Sequence, residues 1–205
     1  LQSENFHENW PKIREKCVKF RTDNRLAPLK NEAISLSGNA LLVYAIYTAA
    51  DIFSNAQWMT VAHHLFSQLL TILQEQEDSV YFDDVIYLFR AYLFFENDRD
   101  QTVISYLWNF VMDRFYDPLQ GGLWFSQVLH KTPISRIKDI YDQATPSPNA
   151  IFIQLALDLY KRYKEPQYYK IALESISCFM ATAFKNSQGC ESFWVSVDRY
   201  WKLFE

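Results

Sequence analysis

Glycine is scarce in this chain, with only four residues among 205. An all-β protein needs many tight turns, and those turns depend on glycine, so the shortage argues against an all-β fold. Cysteine is also scarce: Cys17, Cys178 and Cys190 form no Cys-x-x-Cys pair. The odd count predicts neither a disulfide framework nor a dithiol redox site, but three buried, reduced thiols in a cytoplasmic protein.

Long runs of one residue type are missing too. The net charge is −4 and no long basic run occurs, so we expect no nucleic-acid partner. The longest apolar run, residues 40–50, is shorter than the ~20 residues that span a bilayer, and we expect no membrane partner. The chain opens without Met and ends in a helix-like segment, which predicts an excised fragment of a longer protein.

Aromatic residues, in contrast, are abundant, at 17% of the chain. This richness predicts a large core, an aromatic-lined cavity, or both. Hydrophobic residues at 49% and charged residues at 21% are typical of a folded globular protein.

Apolar residues recur at helical spacing along most of the chain. The predicted helices cover residues 9–21, 35–53, 56–74, 81–95, 101–115, 149–163 and 167–184, and one more opens after Cys190. Pro11 is expected in the first turn of the first helix, where its missing N–H is harmless. Residues 123–126 and 134–141 are β-like, which predicts a short irregular hairpin inserted between helices.

An internal repeat underlies these helices. Residues 55–62 resemble residues 165–172, since both open a helix after another that ends in aromatics, and residues 98–101 mark a weaker copy. Repeated helical hairpins predict a solenoid or a closed toroid, and a toroid closes with about six of them. We therefore predict an all-α fold, one domain over residues 1–205, forming a partial arc of an α/α-hairpin toroid.

Three segments together resemble one known family. Asn-Glu-Ala-Ile-Ser-Leu-Ser-Gly-Asn-Ala-Leu-Leu at 31–42 is similar to its Asp-Asp-Lys-Ile-Leu-Thr-Ser-Trp-Asn-Gly-Leu-Met. Tyr-Phe-Asp-Asp-Val-Ile-Tyr-Leu at 81–88 is similar to Phe-Leu-Asp-Asp-Tyr-Ala-Phe-Leu. Lys-Asp-Ile-Tyr-Asp-Gln-Ala-Thr-Pro-Ser-Pro-Asn at 138–149 is similar to Lys-Glu-x-Tyr-Asp-Gly-Ala-x-Pro-Ser-Gly-Asn. The order and spacing agree over about residues 10–184.

The family joins a thioredoxin-like domain to a C-terminal six-hairpin toroid, and includes spermatogenesis-associated thioredoxin-domain proteins and bacterial relatives. The toroid itself resembles those of N-acylglucosamine 2-epimerases and several glycosidases. The resemblance implies that the three segments line one mouth of the toroid, but it implies no known reaction. The thioredoxin-like domain has no counterpart in this chain. Several family positions differ here, which favours a degenerate copy: Asn31, Glu32, Ala33, Gly38, Gln143 and Pro148.

The candidate catalytic residues are Asp83, Asp84 and Asp142. Two carboxylates can divide general acid and base roles, and glycoside hydrolysis needs such a pair about 5–10 Å apart. Asp83 with Asp142, or Asp84 with Glu32, could form this pair across a cavity. The alternative is that the aspartates cap helices by accepting hydrogen bonds from backbone N–H groups.

The candidate substrate-binding residues are polar or aromatic and lie in or near the three segments: Glu32, Asn39, Trp124, Lys138, Tyr141 and Asn149. Loops on a rigid scaffold often carry function, although the same side chains could instead fix the loop by hydrogen bonds. Sugar-stacking platforms are a further hypothesis for seven aromatics, with core packing as the alternative: Tyr44, Tyr47, Trp58, Trp108, Trp124, Tyr141 and Trp194. His63 and His64 are adjacent and cannot share an ion, so we predict no metal site and no cofactor.

Two functions remain open at this level. The first is a non-catalytic module of unknown activity, cytoplasmic, that binds a protein partner or the absent hairpins and thioredoxin-like domain of a parent chain. The alternative is a carbohydrate-active enzyme, glycosidase- or epimerase-like, with a small carbohydrate ligand and paired carboxylates in its cavity. The departures from the family pattern favour the first hypothesis slightly, and whether the chain is an enzyme stays open.

Overall fold

The computed structural model describes residues 2–26, 34–95, 100–128 and 135–203. These residues contain eight α-helices: α1 (Gln2–Asn24), α2 (Leu36–Ile52), α3 (Ala56–Glu75), α4 (Phe82–Phe95), α5 (Gln101–Arg114), α6 (Pro148–Tyr163), α7 (Pro166–Lys185) and α8 (Glu191–Trp201). They contain no strand, and their only β feature is an isolated bridge between Tyr116 and Leu123. The all-α class is therefore confirmed, while closure into a toroid stays a prediction.

Helices α2 to α7 begin and end within one residue of their predicted bounds. Side-chain caps explain four of these starts, because each cap accepts a hydrogen bond from a backbone N–H of the first turn. Ser35 caps α2, Asn55 caps α3, Asp100 caps α5 and Ser147 caps α6. These residue types are strong helix-start signals in any sequence, so the agreement has a local cause.

The first 34 residues form a compact unit of their own, built on α1. Two predictions about this unit are wrong. The helix begins at Gln2 rather than Asn9, so Pro11 lies inside the helix and not in its first turn. A proline there removes one backbone hydrogen bond, and the helix continues through that loss. Cys17 was expected to be buried but is exposed, because every described side chain of this helix faces solvent.

Residues 35–205 form the second unit, a row of helical hairpins. Helix α4 packs between α2 and α6, while α3 pairs with α2, α5 with α4 and α7 with α6; α8 packs against α6. Within α4 and α6 most of the described side chains are buried, whereas α3, α5 and α7 bury one face each. Cys190 lies in this core and Cys178 is half-buried.

The segment between α5 and α6 is irregular where a β-like hairpin was predicted. Phe125 N donates to Ile137 O at 2.8 Å, but no ladder continues from this bond in the described part of the segment. Side chains take the backbone groups that a ladder needs: Asn149 bonds both backbone groups of Leu123, and Arg136 donates to Ser126 O. Side chains thus supply much of what fixes the segment, and its described residues form no sheet.

Candidate functional site

A cavity of about 130 Å³ opens where the first turn of α4 meets the segment before α6. Its wall contains two carboxyl groups, four aromatic rings and three smaller residues: Asp83, Asp139, Phe82, Tyr87, Phe125, Tyr141, Gln143, Thr145 and Pro148. The second and third family-like segments, far apart in sequence, therefore meet at one concave surface. Apolar walls with a few polar groups are typical of small-molecule sites.

Asp83 is the sequence-predicted catalytic candidate that reaches this cavity. It lies in the first turn of α4 and is half-buried. Burial raises the pKa of its carboxyl above the ordinary 3.8, the neighbouring charge of Asp84 raises it further, and a hydrogen bond from Ser37 opposes both effects. A raised pKa keeps a carboxylic acid protonated to higher pH, as a proton donor requires.

Asp84 has a structural task instead. Its Oδ2 accepts a hydrogen bond from Tyr81 N at 3.0 Å, which is the return half of a capping box at the start of α4. Its Oδ1 accepts from Ser37 N at 2.8 Å, which ties the start of α2 to the start of α4. Both oxygens thus satisfy backbone donors at helix starts, and the capping alternative describes this residue.

Asp142 also serves the fold. Its Oδ1 accepts from Ser147 N at 2.6 Å and its Oδ2 accepts from Ser192 N at 2.7 Å. Its own N–H donates to Gly189 O at 2.7 Å. The carboxylate therefore joins the starts of α6 and α8, and Asp142 is not among the residues that line the cavity beside Asp83.

Asp139 is the second carboxyl at the cavity, and it is not among the residues predicted from the sequence. Its Oδ1 accepts from Tyr141 N at 2.9 Å, and its Oδ2 lies 3.5 Å from Gln143 Nε2. The available signal was its place in the third family-like segment, where the family carries Glu. Nothing in the sequence spacing separates it from Asp142, because only the folded loop decides which carboxyl faces the open space.

The aromatic wall is held by hydrogen bonds at its rim. The Tyr87 hydroxyl donates to Pro146 O at 2.5 Å and lies 3.0 Å from Thr145 Oγ1. Burial raises the pKa of Tyr87, and Asp83 contributes in the same direction, so this hydroxyl stays a proton donor. Tyr141, a predicted binding residue, lines the cavity and accepts from Asn186 Nδ2 at 2.9 Å.

Asn149 positions the site from beneath and cannot reach a ligand, since it is fully buried. Its Oδ1 accepts from Leu123 N at 2.6 Å, and its Nδ2 donates to Leu123 O at 3.1 Å and to Asp139 O at 2.7 Å. The amide therefore fixes the backbone of Asp139. Asn39 lies half-buried in the first turn of α2, where its Nδ2 donates to Ser35 O at 2.8 Å, and Glu32 lies outside the described residues.

Lys138 and Trp124 form a separate, closed cluster. Lys138 Nζ donates to Asp117 Oδ2 at 2.6 Å and to Gly121 O at 2.7 Å, and it lies 4.4 Å from the centre of the Trp124 ring. Arg136 lies 5.3 Å from the same ring. The Lys138 and Asp117 side chains are only 9% and 8% exposed, so this ion pair belongs to the loop's interior.

Asp117 is held in its charged form by this cluster. Burial by itself would raise its pKa, but the hydrogen bond from Lys138 and those from the backbone of Leu119 and Gln120 lower it below the ordinary value. A buried carboxylate with three such partners is well compensated. Lys138 is therefore an anchor of the fold and is unavailable to a ligand in this arrangement.

Most of the other aromatics proposed as sugar platforms belong to the core or its edge. Trp108 stacks on Phe152 at 5.7 Å and meets Tyr168 edge-on at 4.8 Å. Tyr47 is buried, Tyr44 and Trp194 are half-buried against the core, and Trp58 is exposed. In the described part of the chain, no cluster of His, Cys, Asp and Glu has the make-up of a metal site. Within those same residues, no helix combines the length and apolarity needed to cross a membrane.

The cavity thus joins a protonatable carboxyl, a second carboxyl and several ring faces. Carboxyl oxygens accept hydrogen bonds from hydroxyl groups, and aromatic faces pack against the C–H side of a small ring. Comparison with known proteins adds no further assignment: the chain matches no protein-family model and no curated protein.

Proposed function

We propose that this chain is a ligand-binding module of the α/α-hairpin toroid kind, and that its loop face holds a small carbohydrate. The observation that carries the proposal is that Asp83 and Asp139 line one aromatic-walled cavity. Each carboxyl can accept hydrogen bonds from hydroxyl groups of the ligand, while the aromatic rings pack against the apolar side of the ligand. A small polyhydroxylated ring satisfies both kinds of wall at once.

The size of the cavity limits the size of the ligand that it can hold. Drug-sized ligands occupy pockets of roughly 300–1,000 Å³, whereas this cavity measures about 130 Å³. An oligosaccharide would need additional subsites beyond these walls. The proposed ligand is therefore a monosaccharide or a polyol of similar size.

A sugar-converting enzyme is the second candidate, and the environment of Asp83 favours it. Its raised pKa suits a general acid, and Asp139 supplies another carboxyl at the same cavity. The volume supports proton transfer on a single sugar, as in an epimerase, better than cleavage of a glycan chain. The two candidates share one ligand class and differ in turnover.

The family resemblance supports the view that this module is part of a larger protein. In that setting the chain is the toroid part of a cytoplasmic thioredoxin-domain protein, and the segments 31–42, 81–88 and 138–149 surround the toroid's mouth. The helical hairpin row of residues 35–205 is compatible with such an arc. The residues that depart from the family pattern support a binding role over a full catalytic one.

Thermal melting with a panel of monosaccharides and polyols at millimolar concentration tests the proposal. A ligand that binds only the folded state raises Tm by mass action. We expect one or a few sugars to raise Tm, and expect Asp83→Asn and Asp139→Asn each to abolish the shift. Asp113→Asn is the matched control, because it removes an exposed carboxylate on α5 and should leave the shift intact.

The outcomes separate the candidates. A rise in Tm that depends on both Asp83 and Asp139, without chemical conversion of the sugar, supports a binding module. Deuterium exchange from heavy water into the bound sugar, or its conversion in an NMR time course, supports the enzyme. A cooperative melt that no sugar shifts, or a shift that survives both substitutions, overturns the carbohydrate proposal.

A further inference from the structure

The side of α2 that faces solvent is apolar. Five residues recur three and four positions apart along it, and none carries a polar side chain: Gly38, Leu42, Ala45, Ala49 and Ile52. At 100° per residue they fall within about 40° of one line along the helix. Leu42 is 51% exposed and Ile52 is 70% exposed. We call these five residues the α2 stripe.

The α2 stripe lies opposite the side of the helix that enters the core. The buried side consists of Leu36, Ala40, Val43, Tyr47 and Ala50. Helix α3, in contrast, shows solvent a largely polar side that includes Gln57, His64 and Gln68. A surface helix is normally polar on its outer side, and helical arrays end in such polar faces. The α2 stripe therefore has the composition of a packing surface, and heptad spacing is typical of packing against another helix.

We propose that two copies of this chain pair through the α2 stripe, with the two α2 helices antiparallel around a twofold axis beside Ala45. In that arrangement Ala45 meets its own copy, and Gly38 meets Ile52 of the second copy. Leu42 then lies beside Ala49 of the second copy. Large side chains thus meet small ones on both sides of the axis, and the two small Ala45 residues meet on it, so one face is complementary to itself, as a twofold interface requires.

The charges on α2 are compatible with this pairing. The helix carries a single charged side chain, Asp51, which lies about 140° away from Gly38 around the helix and off the stripe. Pairing along the stripe therefore buries no charged side chain of α2, which avoids a large cost of forming an interface. The antiparallel arrangement also places opposite ends of the two helix dipoles side by side.

The extent of the surface sets the expected strength. Helix α2 has 17 residues and is about 25 Å long. Beyond its end, Phe53 is 71% exposed and meets the 45% exposed Trp58 edge-on at 6.2 Å, so each copy adds an aromatic pair at one end of the interface. Such a face is smaller than the ~800 Å² per partner of a standard interface, which predicts a reversible, concentration-dependent dimer.

Sedimentation equilibrium over a concentration series tests the association. The average mass should rise from 24.3 kDa toward twice that value as the chain becomes more concentrated. Ala45→Glu should hold the protein at the monomer mass, because it places two carboxylates against each other on the axis. Gln68→Glu adds the same charge on the exposed side of α3 and should leave the association unchanged. Circular dichroism of both variants checks that each remains folded.

Disulfide trapping tests the register in a Cys17→Ser background, which removes the exposed thiol. Two helices about 8–9 Å apart bring Cα atoms on the axis within disulfide range, so Ala45→Cys should crosslink to its own copy. A mixture of Gly38→Cys and Ile52→Cys proteins should crosslink, and neither should crosslink by itself. A monomer at every concentration, a dimer that survives Ala45→Glu, or self-crosslinking of Ile52→Cys overturns the proposal.

Discussion

Lys138 and Asp139 are neighbours in the chain, yet they belong to different parts of the molecule. The Lys138 side chain is enclosed by Asp117, the backbone of Gly121 and the Trp124 ring. The Asp139 side chain instead lines the cavity opposite α4. The loop between α5 and α6 therefore has two parts. The closed half, residues 117–124 with Lys138, stabilises the fold. The open half, Asp139 and the cavity-lining residues that follow it, can contact a ligand.

A polar residue in a loop can serve the fold alone, as Lys138 does. In the closed half each charge has a partner within hydrogen-bond distance, which leaves no capacity for a ligand. In the open half the carboxyl of Asp139 lines the cavity, together with Asp83 of α4. The three predictions below test the division, beginning with the largest expected effect.

Lys138→Met should destabilise the protein by about 3–5 kcal/mol, because it leaves Asp117 buried without its charged partner. Urea unfolding at neutral pH measures this change in the free energy of unfolding. Lys170→Met is the matched control, since its contact with Glu174 at 3.7 Å is 75% exposed on the lysine side. An equal effect of the two substitutions would show that the closed half does not depend on its ion pair.

Gly122→Ala should destabilise by about 2–4 kcal/mol through strain and a clash. Gly122 has φ +74°, and an added Cβ would lie 2.6 Å from the Phe179 ring. Gly189 has φ +84° with open space around it, so Gly189→Ala should cost only the strain of about 1–2 kcal/mol. Thermal or urea unfolding compares the two. A larger loss at Gly189 would contradict the close packing of the closed half against α7.

The pH dependence of stability should have opposite signs for Asp83 at the cavity and for Asp117 in the closed half. Asp83 has a raised pKa when folded, so its contribution is fully present below the unfolded value near 3.8 and is lost as pH rises through the folded value. Asp117 has a lowered pKa when folded, so its contribution is present above 3.8 and is lost as pH falls through the folded value.

Urea unfolding between about pH 3 and pH 7 separates these contributions. Asp83→Asn should change the free energy of unfolding by less than about 1 kcal/mol and should remove the decline above pH 4. Asp117→Asn should remove the rise with pH at the acid end of this range, near and below pH 4. If both substitutions changed the slope in the same direction, the distinction between the open and closed halves would fail.

Much of the helical layout follows from local sequence signals. Ser35, Asn55, Asp100 and Ser147 cap their helices with their own side chains, and such caps can be recognised without a fold. The same reasoning placed the start of α1 too late, because Pro11 was interpreted as a helix-start signal. A proline inside a helix costs about 3 kcal/mol or more, and the other residues of a long helix can offset that cost.

The candidate site was predicted only in part. Asp83 and Tyr141 were selected and do line the cavity. Asp84 and Asp142 were selected for the same chemistry, but their oxygens accept backbone hydrogen bonds at helix starts. Asp139 was missed. Sequence spacing identifies carboxyl groups but does not show which of them will join two helix starts and which will line a cavity.

By itself, the sequence determined the helices of this protein, because periodicity and capping act between residues a few positions apart. It also determined that aromatic and acidic residues lie near one another along the segments 81–88 and 138–149. Only the tertiary structure decided which carboxyls line the cavity. Asp84 accepts a hydrogen bond from Ser37, 47 positions away in the sequence, and Asp142 accepts one from Ser192, 50 positions away. Contacts between such distant residues depend on how whole helices pack.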